Sequence, residues 1–157
     1  MREIKFRGKR KDNGEWVEGC YLETQMSGVY IINTKAQAKG KMPGKVTIGD
    51  KITHHEVDPA TVGQFTGLRD IVRTEEFPEG QETFEDDLLQ SQVGAMYIWQ
   101  VKFEDGAYIL EQINGPKKRG KQRHVQDFCC KDDIELYQLV KIGNIYDNPE
   151  LLEGVAG

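Results

Sequence analysis

The sequence predicts a mainly β protein, a small barrel or sandwich with short helical turns and an additional β-hairpin region. Apolar and polar residues alternate in short segments, the period of a strand with one buried face. Those segments are rich in β-branched and aromatic residues, and Gly is frequent, with 17 in 157 residues, which is typical of short strands joined by turns. The length predicts one domain over residues 1–157, with loop insertions around 34–45, 71–92 and 115–123.

The N-terminal third contains a predicted hairpin and two further strands. Residues 3–23 carry alternating patterns on both sides of Asn13-Gly14, a strong signal for a hairpin turn. Residues 28–33, GVYIIN, predict the next strand. The Lys- and Gly-rich segment 34–45 predicts a loop, and a strand interrupted at Gly49-Asp50 comes after it.

The stretch EVDPATVGQFTGLRD, which begins at residue 56, predicts a tight corner. Asp58 is the expected cap of a short helical turn that opens at Pro59. Val62 and Phe65 lie three residues apart and would share one face of that turn. Gly67 can adopt positive φ and would end it.

The second half predicts a central hairpin. Residues 74–90 are acidic and predict an exposed loop that leads into a strand or a short helix at 84–89. Residues 96–103, MYIWQVKF, predict the strongest strand of the chain, which turns at Glu104-Asp105-Gly106 and returns through AYILEQI.

The C-terminal segment is less uniform in pattern. Residues 125–137 fit a helix or a loop equally well. LVKIGNIYD predicts a last strand in which Gly143 lies at a bulge or at a close backbone approach. Pro149 then begins a short terminal turn.

Charge and cysteine usage bound the class of protein. The net charge is −5 and the pI is about 5.3, which is not the bulk signature of a nucleic-acid binder. Cys20, Cys129 and Cys130 form an odd set with two neighbours, unlike a disulfide framework or a metal site. We therefore expect a reduced cytoplasmic protein. Since no signal-peptide pattern and no apolar run of about 20 residues occurs, we expect no membrane partner.

Four segments are similar to the YopX family of phage and prophage proteins. The two longest and most specific are VDPATVGQFTGLRD at 57–70 and IGNIYDNPELL at 142–152, and REIKFRGKR and VKFEDGAYIL also match the family pattern. One departure concerns the aromatic-Glu-Gly-Asp strand that is usual in the family. Phe84-Glu85-Asp86-Asp87 takes its place after a longer acidic insert, with Asp86 where Gly is usual.

The resemblance implies a mainly β fold with SH3-like barrel character, an origin in a phage or prophage, and no established activity. It supplies no catalytic, cofactor-binding or metal-binding residue. The central motif looks architectural, with turn Gly residues, hydroxyls that satisfy backbone donors, and apolar anchors. This expected structural corner consists of Asp58, Pro59, Thr61, Val62, Gly63, Phe65, Thr66, Gly67 and Leu68.

The segment His54-His55-Glu56-Val57-Asp58 is a candidate metal site. On a strand, His54, Glu56 and Asp58 would share one face, and imidazole and carboxylate suit zinc or manganese. Because only this stretch offers candidate ligands, we expect a polar strand edge and neither a metal nor another cofactor.

Two further places are candidates for catalysis. Cys129 and Cys130 lie near His124, but no thiolate-activating motif surrounds them. The acidic pairs Glu75-Glu76 and Asp86-Asp87 belong to a polar segment that we expect to be solvated, whereas acid–base catalysis needs carboxylates in an apolar cleft. We therefore expect that the protein is not an enzyme.

Two basic segments, 2–11 and 117–123, are candidate nucleic-acid contacts. Brought onto one face, they would form a phosphate-binding patch in an acidic protein. The candidate contacts are Lys117, Lys118, Arg119, Lys121, Arg123, Arg7, Lys9 and Arg10.

The leading expectation is a non-enzymatic accessory protein of a phage or prophage, in the cytoplasm of the bacterial host. It would act through protein contacts and form a homo-oligomer by means of edge strands and oppositely charged loops. The alternative is a nucleic-acid-binding β-barrel that uses both basic segments.

Overall fold

A computed structural model describes residues 3–35, 51–114, 125–128 and 131–153. In these ranges the chain is mainly β, with antiparallel strands and two short helices, as predicted. The chain divides into two compact units, Met1–Gln64 and Phe65–Gly157, called here the first and the second unit. That the chain forms a single domain stays a prediction.

The first unit is an antiparallel sheet. Its strands are β1 (Phe6–Lys9), β2 (Trp16–Thr24), β3 (Gly28–Lys35), β4 (Lys51–Glu56) and the beginning of β5 (Gly63–Arg69). Among the described residues, their order is β4-β3-β2-β1-β5, with β4 at one end. The predicted hairpin over residues 3–23 and the strand at 28–33 are confirmed, and Gly14 has the positive φ (71°) that its turn requires.

The core of the first unit lies on one face of this sheet. Val29, Ile31 and Val57 are buried there. Phe6, Val17 and Val62 pack against them. The period-two alternation of β3 places every second side chain on this face.

The second unit is built around a five-stranded antiparallel sheet. After the remainder of β5, its elements are β6 (Glu82–Phe84), β7 (Asp87–Ser91), β8 (Ile98–Glu104), β9 (Ala107–Gln112), β10 (Val125–Asp127), α1 (Lys131–Leu136), β11 (Leu139–Asn144) and α2 (Glu150–Glu153). The order in the five-stranded sheet is β10-β9-β8-β7-β11, and β6 pairs with β5. Its core contains Leu89, Trp99, Val101, Tyr108, Leu110, Phe128, Ile134 and Leu139.

Most local predictions for the second unit are confirmed. Asp105 and Gly106 both have positive φ (50° and 84°) in the turn between β8 and β9, as a tight hairpin requires. The register of β11 shifts between Lys141 and Gly143, the predicted bulge. The segment 125–137, for which the sequence did not decide between helix and loop, contains the short strand β10 and the helix α1.

Two expectations are corrected, and a third is not confirmed. The segment 84–89 is neither one strand nor a helix, because it contains a turn between β6 and β7. The helical turn at Pro59–Thr61 ends at Val62, which has extended backbone, so Gly67 does not end it and Phe65 lies in β5 instead of on the turn. The strand order of each unit is open over the described ranges, so the SH3-like barrel is not confirmed.

Candidate functional site

The first half of the corner motif is held by hydrogen bonds within the first unit. The carboxylate Oδ1 of Asp58 accepts a bond from the backbone N–H of Ala60 (3.0 Å), the predicted capping arrangement. The hydroxyl of Thr61 donates to the carbonyl of Asp58 (2.8 Å) and accepts from the backbone N–H of Lys9 (2.9 Å). Gly63 lies opposite Arg7 in the pairing of β5 with β1. These contacts give the motif a structural role at this end.

The second half of the motif lies in the second unit, where Thr66 and Thr83 face each other on β5 and β6. Their hydroxyl oxygens are 2.7 Å apart, and both residues are buried. Thr66 Oγ1 accepts from the backbone N–H of Leu68 (3.1 Å), and Thr83 Oγ1 donates to its carbonyl (2.9 Å). The two hydroxyls thus bind backbone groups where the β5–β6 register shifts, beside Gly67 at a φ of 87°.

The last residue of the motif, Asp70, is a buried polar centre that the sequence reasoning missed. Its side chain is fully buried. Oδ1 accepts from the backbone N–H groups of Val72 (3.1 Å) and Gln81 (2.8 Å). Oδ2 accepts from the Gln81 side-chain amide (2.9 Å) and from the backbone N–H of Lys141 (2.9 Å). Four donors from three separate chain segments therefore converge on one carboxylate.

Asp86, at the position where the family usually has Gly, is also tightly held. Its φ is 64°, a region that Gly adopts readily and Asp tolerates. The carboxylate accepts from the side-chain amide of Gln100 (2.8 Å) and from the hydroxyl of Tyr146 (2.7 Å). Its backbone N–H donates to Val101, and its carbonyl accepts from Ile145. Asp86 therefore connects two of the family-like segments.

The neighbouring Asp87 corrects the expectation that Asp86-Asp87 lies in a solvated loop. Asp87 begins β7 and is fully buried. Its Oδ2 accepts from the backbone N–H of Phe84 (2.8 Å) and lies 2.9 Å from Nζ of Lys141. Because its charge is paired with a cation, the burial of Asp87 is explained by a structural role. Glu75 and Glu76 are exposed, as expected.

The candidate metal ligands do not converge. His54 is exposed on β4, and the ring of Tyr30 packs edge-on against it at 6.1 Å. Glu56 accepts a hydrogen bond from Nζ of Lys11 (2.7 Å), which raises the pKa of that lysine above its ordinary value. Among the described residues, no group of three or more His, Cys, Asp or Glu side chains could hold a metal ion.

The N-terminal basic residues are engaged inside the first unit. The guanidinium of Arg7 is buried and lies 4.6 Å from the centroid of the Trp16 ring, and Nζ of Lys9 lies 5.5 Å from the same ring. Arg10 Nε donates to Asp12 (2.9 Å), and this contact lowers the pKa of the aspartate. These cations are therefore partly neutralised or covered.

The remaining candidates are placed only in part. Lys117, Lys118, Arg119, Lys121 and Arg123 lie outside the described residues. Cys129, Cys130 and His124 lie outside them as well, and the Cys–His hypothesis stays untested. Cys20 is exposed on β2.

The sheet of the first unit has a second face, opposite its core, that carries exposed apolar side chains. We call it the outer face. Leu22 is 45% exposed and Ile52 is 58% exposed. The cross-strand pairs Cys20–Ile32 and Leu22–Tyr30 place further apolar groups between them. Contiguous exposed apolar side chains mark contact surfaces more often than isolated ones do.

These features define a class of protein: a β-rich chain whose most distinctive motifs build turns, bulges and buried polar centres. In the described part of the chain, those motifs bring together no metal centre. A family model described as YopX protein matches residues 5–153, nearly the whole sequence, and the chain therefore belongs to the YopX family.

No curated protein shows a significant match to the chain. As for the membrane, no helix in the described ranges is both long enough and apolar enough to cross one.

Proposed function

We propose that this YopX-family protein is a non-enzymatic accessory protein of phage or prophage origin that acts in the bacterial cytoplasm through protein contacts. It self-associates, and the outer face of the first unit is the contact surface. The observation that carries the proposal is the exposure of Leu22 and Ile52 on a regular sheet face.

The alternation of β2 to β4 supports an interface at this face. Ile31 on β3 is fully buried on the inner face, whereas its neighbours Tyr30 and Ile32 on the outer face are half-buried. Leu22 on β2 lies directly opposite Tyr30, and Ile52 on β4 lies diagonally to Ile32, so these four side chains form an apolar strip on the outer face. The β4 residues directly opposite Tyr30 and Ile32 are the polar Glu56 and His54. Each side chain of this size gains roughly 1.5–3 kcal/mol when it is fully removed from water, so covering the strip is favourable.

A twofold arrangement supports self-association through this face in particular. A second copy docked face to face about a twofold axis places the two outer faces against each other, so that each apolar strip covers the strip of its partner. The surface that this arrangement buries is the one that carries Leu22 and Ile52.

Nucleic-acid binding is the second candidate, and it rests on the charge of segment 117–123. The described cations give it less support, because Arg7 is buried and Arg10 is paired with Asp12. Fluorescence anisotropy with short DNA and RNA across a salt series tests it. Affinity that falls steeply with salt, and that is lost when the basic residues of 117–123 are replaced by Ala, would favour this candidate over protein contact.

The test of the leading proposal is the oligomeric state of matched variants, measured by sedimentation equilibrium. Leu22→Glu and Ile52→Glu place a charge in the outer face, and each is expected to weaken self-association at least about tenfold, since an interfacial charge must be desolvated. Leu136→Glu is the control, because Leu136 is 68% exposed and lies in the second unit.

The outcomes separate clearly. Dissociation by the two outer-face variants, with wild-type behaviour of the Leu136 variant, supports the proposal. A wild-type protein that is monomeric over the whole concentration range refutes self-association. Equal effects of all three variants refute the assignment of the interface to the outer face.

A further inference from the structure

The second unit contains an open cleft of about 570 Å³ that none of the motifs above explains. It lies beside the end of the corner motif and the start of α1. Its lining residues are Gly67, Leu68, Arg69, Arg73, Pro78, Glu79 and Lys131. A volume of this order is in the usual range for clefts that bind small molecules.

The charge of the lining is opposite to that of the protein. Arg69, Arg73 and Lys131 contribute three positive charges, and Glu79 contributes one negative charge. The whole chain has a net charge of −5. A concave surface with an excess of cations concentrates anions locally, even on an acidic protein.

The three cations are not equivalent. Arg69 Nη2 donates to Glu82 (2.8 Å), so this residue is already paired with a carboxylate. Arg73 and Lys131 form no ion pair with a described side chain. They are therefore the cations available to a ligand.

Arg73 is held in place by the backbone around the buried Asp70. Its Nη1 donates to the carbonyls of Asp70 (2.8 Å) and Val72 (2.7 Å). Gly80 packs closely against it, because a Cβ at that position would lie 2.7 Å from Nη1 and 2.3 Å from the Asp70 carbonyl. With Nη1 fixed, Nη2 and Nε donate to no described residue, and a pre-positioned guanidinium loses little freedom when it binds an anion.

We propose that this cleft binds the phosphate group of a small phosphorylated molecule between Arg73 and Lys131. A guanidinium and an ammonium together match the charge of a phosphate dianion. The cleft is larger than a phosphate group, and Leu68 and Pro78 offer apolar wall for the rest of the ligand. Glu79 favours a ligand that also carries a hydrogen-bond donor. This inference is independent of self-association through the outer face.

The test is a titration of the ¹⁵N-labelled protein, monitored by amide chemical shifts, with inorganic phosphate and separately with adenosine monophosphate. We expect saturable shifts at Gly67, Gly80 and the residues beside Arg73, with a dissociation constant of about 1 mM or below for the nucleotide. Tighter binding of the nucleotide than of phosphate would show that the walls of the cleft contribute.

Three variants make the test specific. Arg73→Gln and Lys131→Gln should each weaken binding about tenfold, the effect of losing one charge-assisted hydrogen bond. Glu79→Gln should strengthen binding of inorganic phosphate by removing a like charge. Arg10→Gln in the first unit is the matched control for net charge, and it should leave the affinity unchanged.

The proposal is overturned by the absence of saturable shifts in the cleft with either probe. It is also overturned if Arg10→Gln weakens binding as much as Arg73→Gln does, because the interaction then reports net charge alone. Arg73 and Lys131 are exposed, so their variants are expected to fold, and a thermal unfolding curve for each variant checks this.

Discussion

The buried carboxylate of Asp70 provides the most direct test of how the second unit is held together. It is fully buried and accepts four hydrogen bonds, three of them from the backbone N–H groups of Val72, Gln81 and Lys141. Asp70→Ala removes every acceptor and leaves these donors inside the protein. Leaving a buried donor unsatisfied costs about 1–3 kcal/mol. With about 1 kcal/mol for each of the four donors, the free energy of unfolding should fall by about 4 kcal/mol.

Asp70→Asn should have an intermediate effect. One oxygen is retained, and the other is replaced by an NH₂ group that faces two donors, so about half of the loss, roughly 2 kcal/mol, is expected. Glu76→Ala is the control, because Glu76 is exposed in the same unit. Its effect should stay within about 0.5 kcal/mol.

The assay is urea unfolding monitored by the fluorescence of Trp99, which is buried in the core of the second unit. A Trp16→Phe background removes the signal of the first unit. With a urea dependence of about 2 kcal/mol per molar, Asp70→Ala should lower the midpoint by about 2 M. A loss of less than about 1 kcal/mol would refute the reasoning, since water or local rearrangement would then be satisfying the donors.

Three other contacts give further predictions. Gly143→Ala should lower the unfolding free energy by about 2 kcal/mol or more in the same urea titration. Gly143 has a φ of 153°, and a Cβ there would lie 2.0 Å from Oδ1 of Asn148. Asp86→Gly should lower the unfolding free energy by about 1 kcal/mol, although Gly adopts a positive φ more easily than Asp. Because the side chains of Asp86 and Tyr146 share one hydrogen bond, the double variant Asp86→Gly/Tyr146→Phe should lose less than the sum of the two single losses. The Tyr21 hydroxyl donates to Glu23, which raises the pKa of the phenol above 10.0. This bond stabilises the fold below pH 10 and is lost as the pH rises through the folded-state pKa, so Glu23→Gln should lower that pKa in an ultraviolet absorbance titration. An unchanged pKa in the Glu23 variant would contradict the assigned cause.

Local sequence signals anticipated the turns because a turn depends on the backbone preferences of its own residues. Asn13-Gly14 and Asp105-Gly106 predict tight hairpins, and their glycines have positive φ. Asp58 lies at the cap of the turn that opens at Pro59, as its side chain and position indicate. The strand predicted for GVYIIN is present as part of β3, in which Val29 and Ile31 are buried on one face.

The candidate sites were less predictable, because they depend on residues that are distant in the sequence. Asp86-Asp87 has the composition of a solvated loop, yet Asp87 is buried beside Lys141. Arg7 belongs to a basic segment that suggests a phosphate contact, yet it is buried and covered by the ring of Trp16. Burial and pairing of a charge are set by the neighbours that the fold supplies, and local composition does not specify them.

The amino-acid sequence was sufficient for the β class, for the positions of the hairpins and for the resemblance to the YopX family, which the family model confirmed, because period-two patterning and turn residues act over a few positions. Which polar groups have a structural role and which are available to a ligand became clear only from the folded structure. The carboxylate of Asp70 accepts a hydrogen bond from the backbone N–H of Lys141, 71 positions away. The backbone carbonyl of Asp70 accepts one from Nη1 of Arg73, which lines the cleft. Such contacts form only when strands distant in sequence are brought together, so tertiary packing determines them.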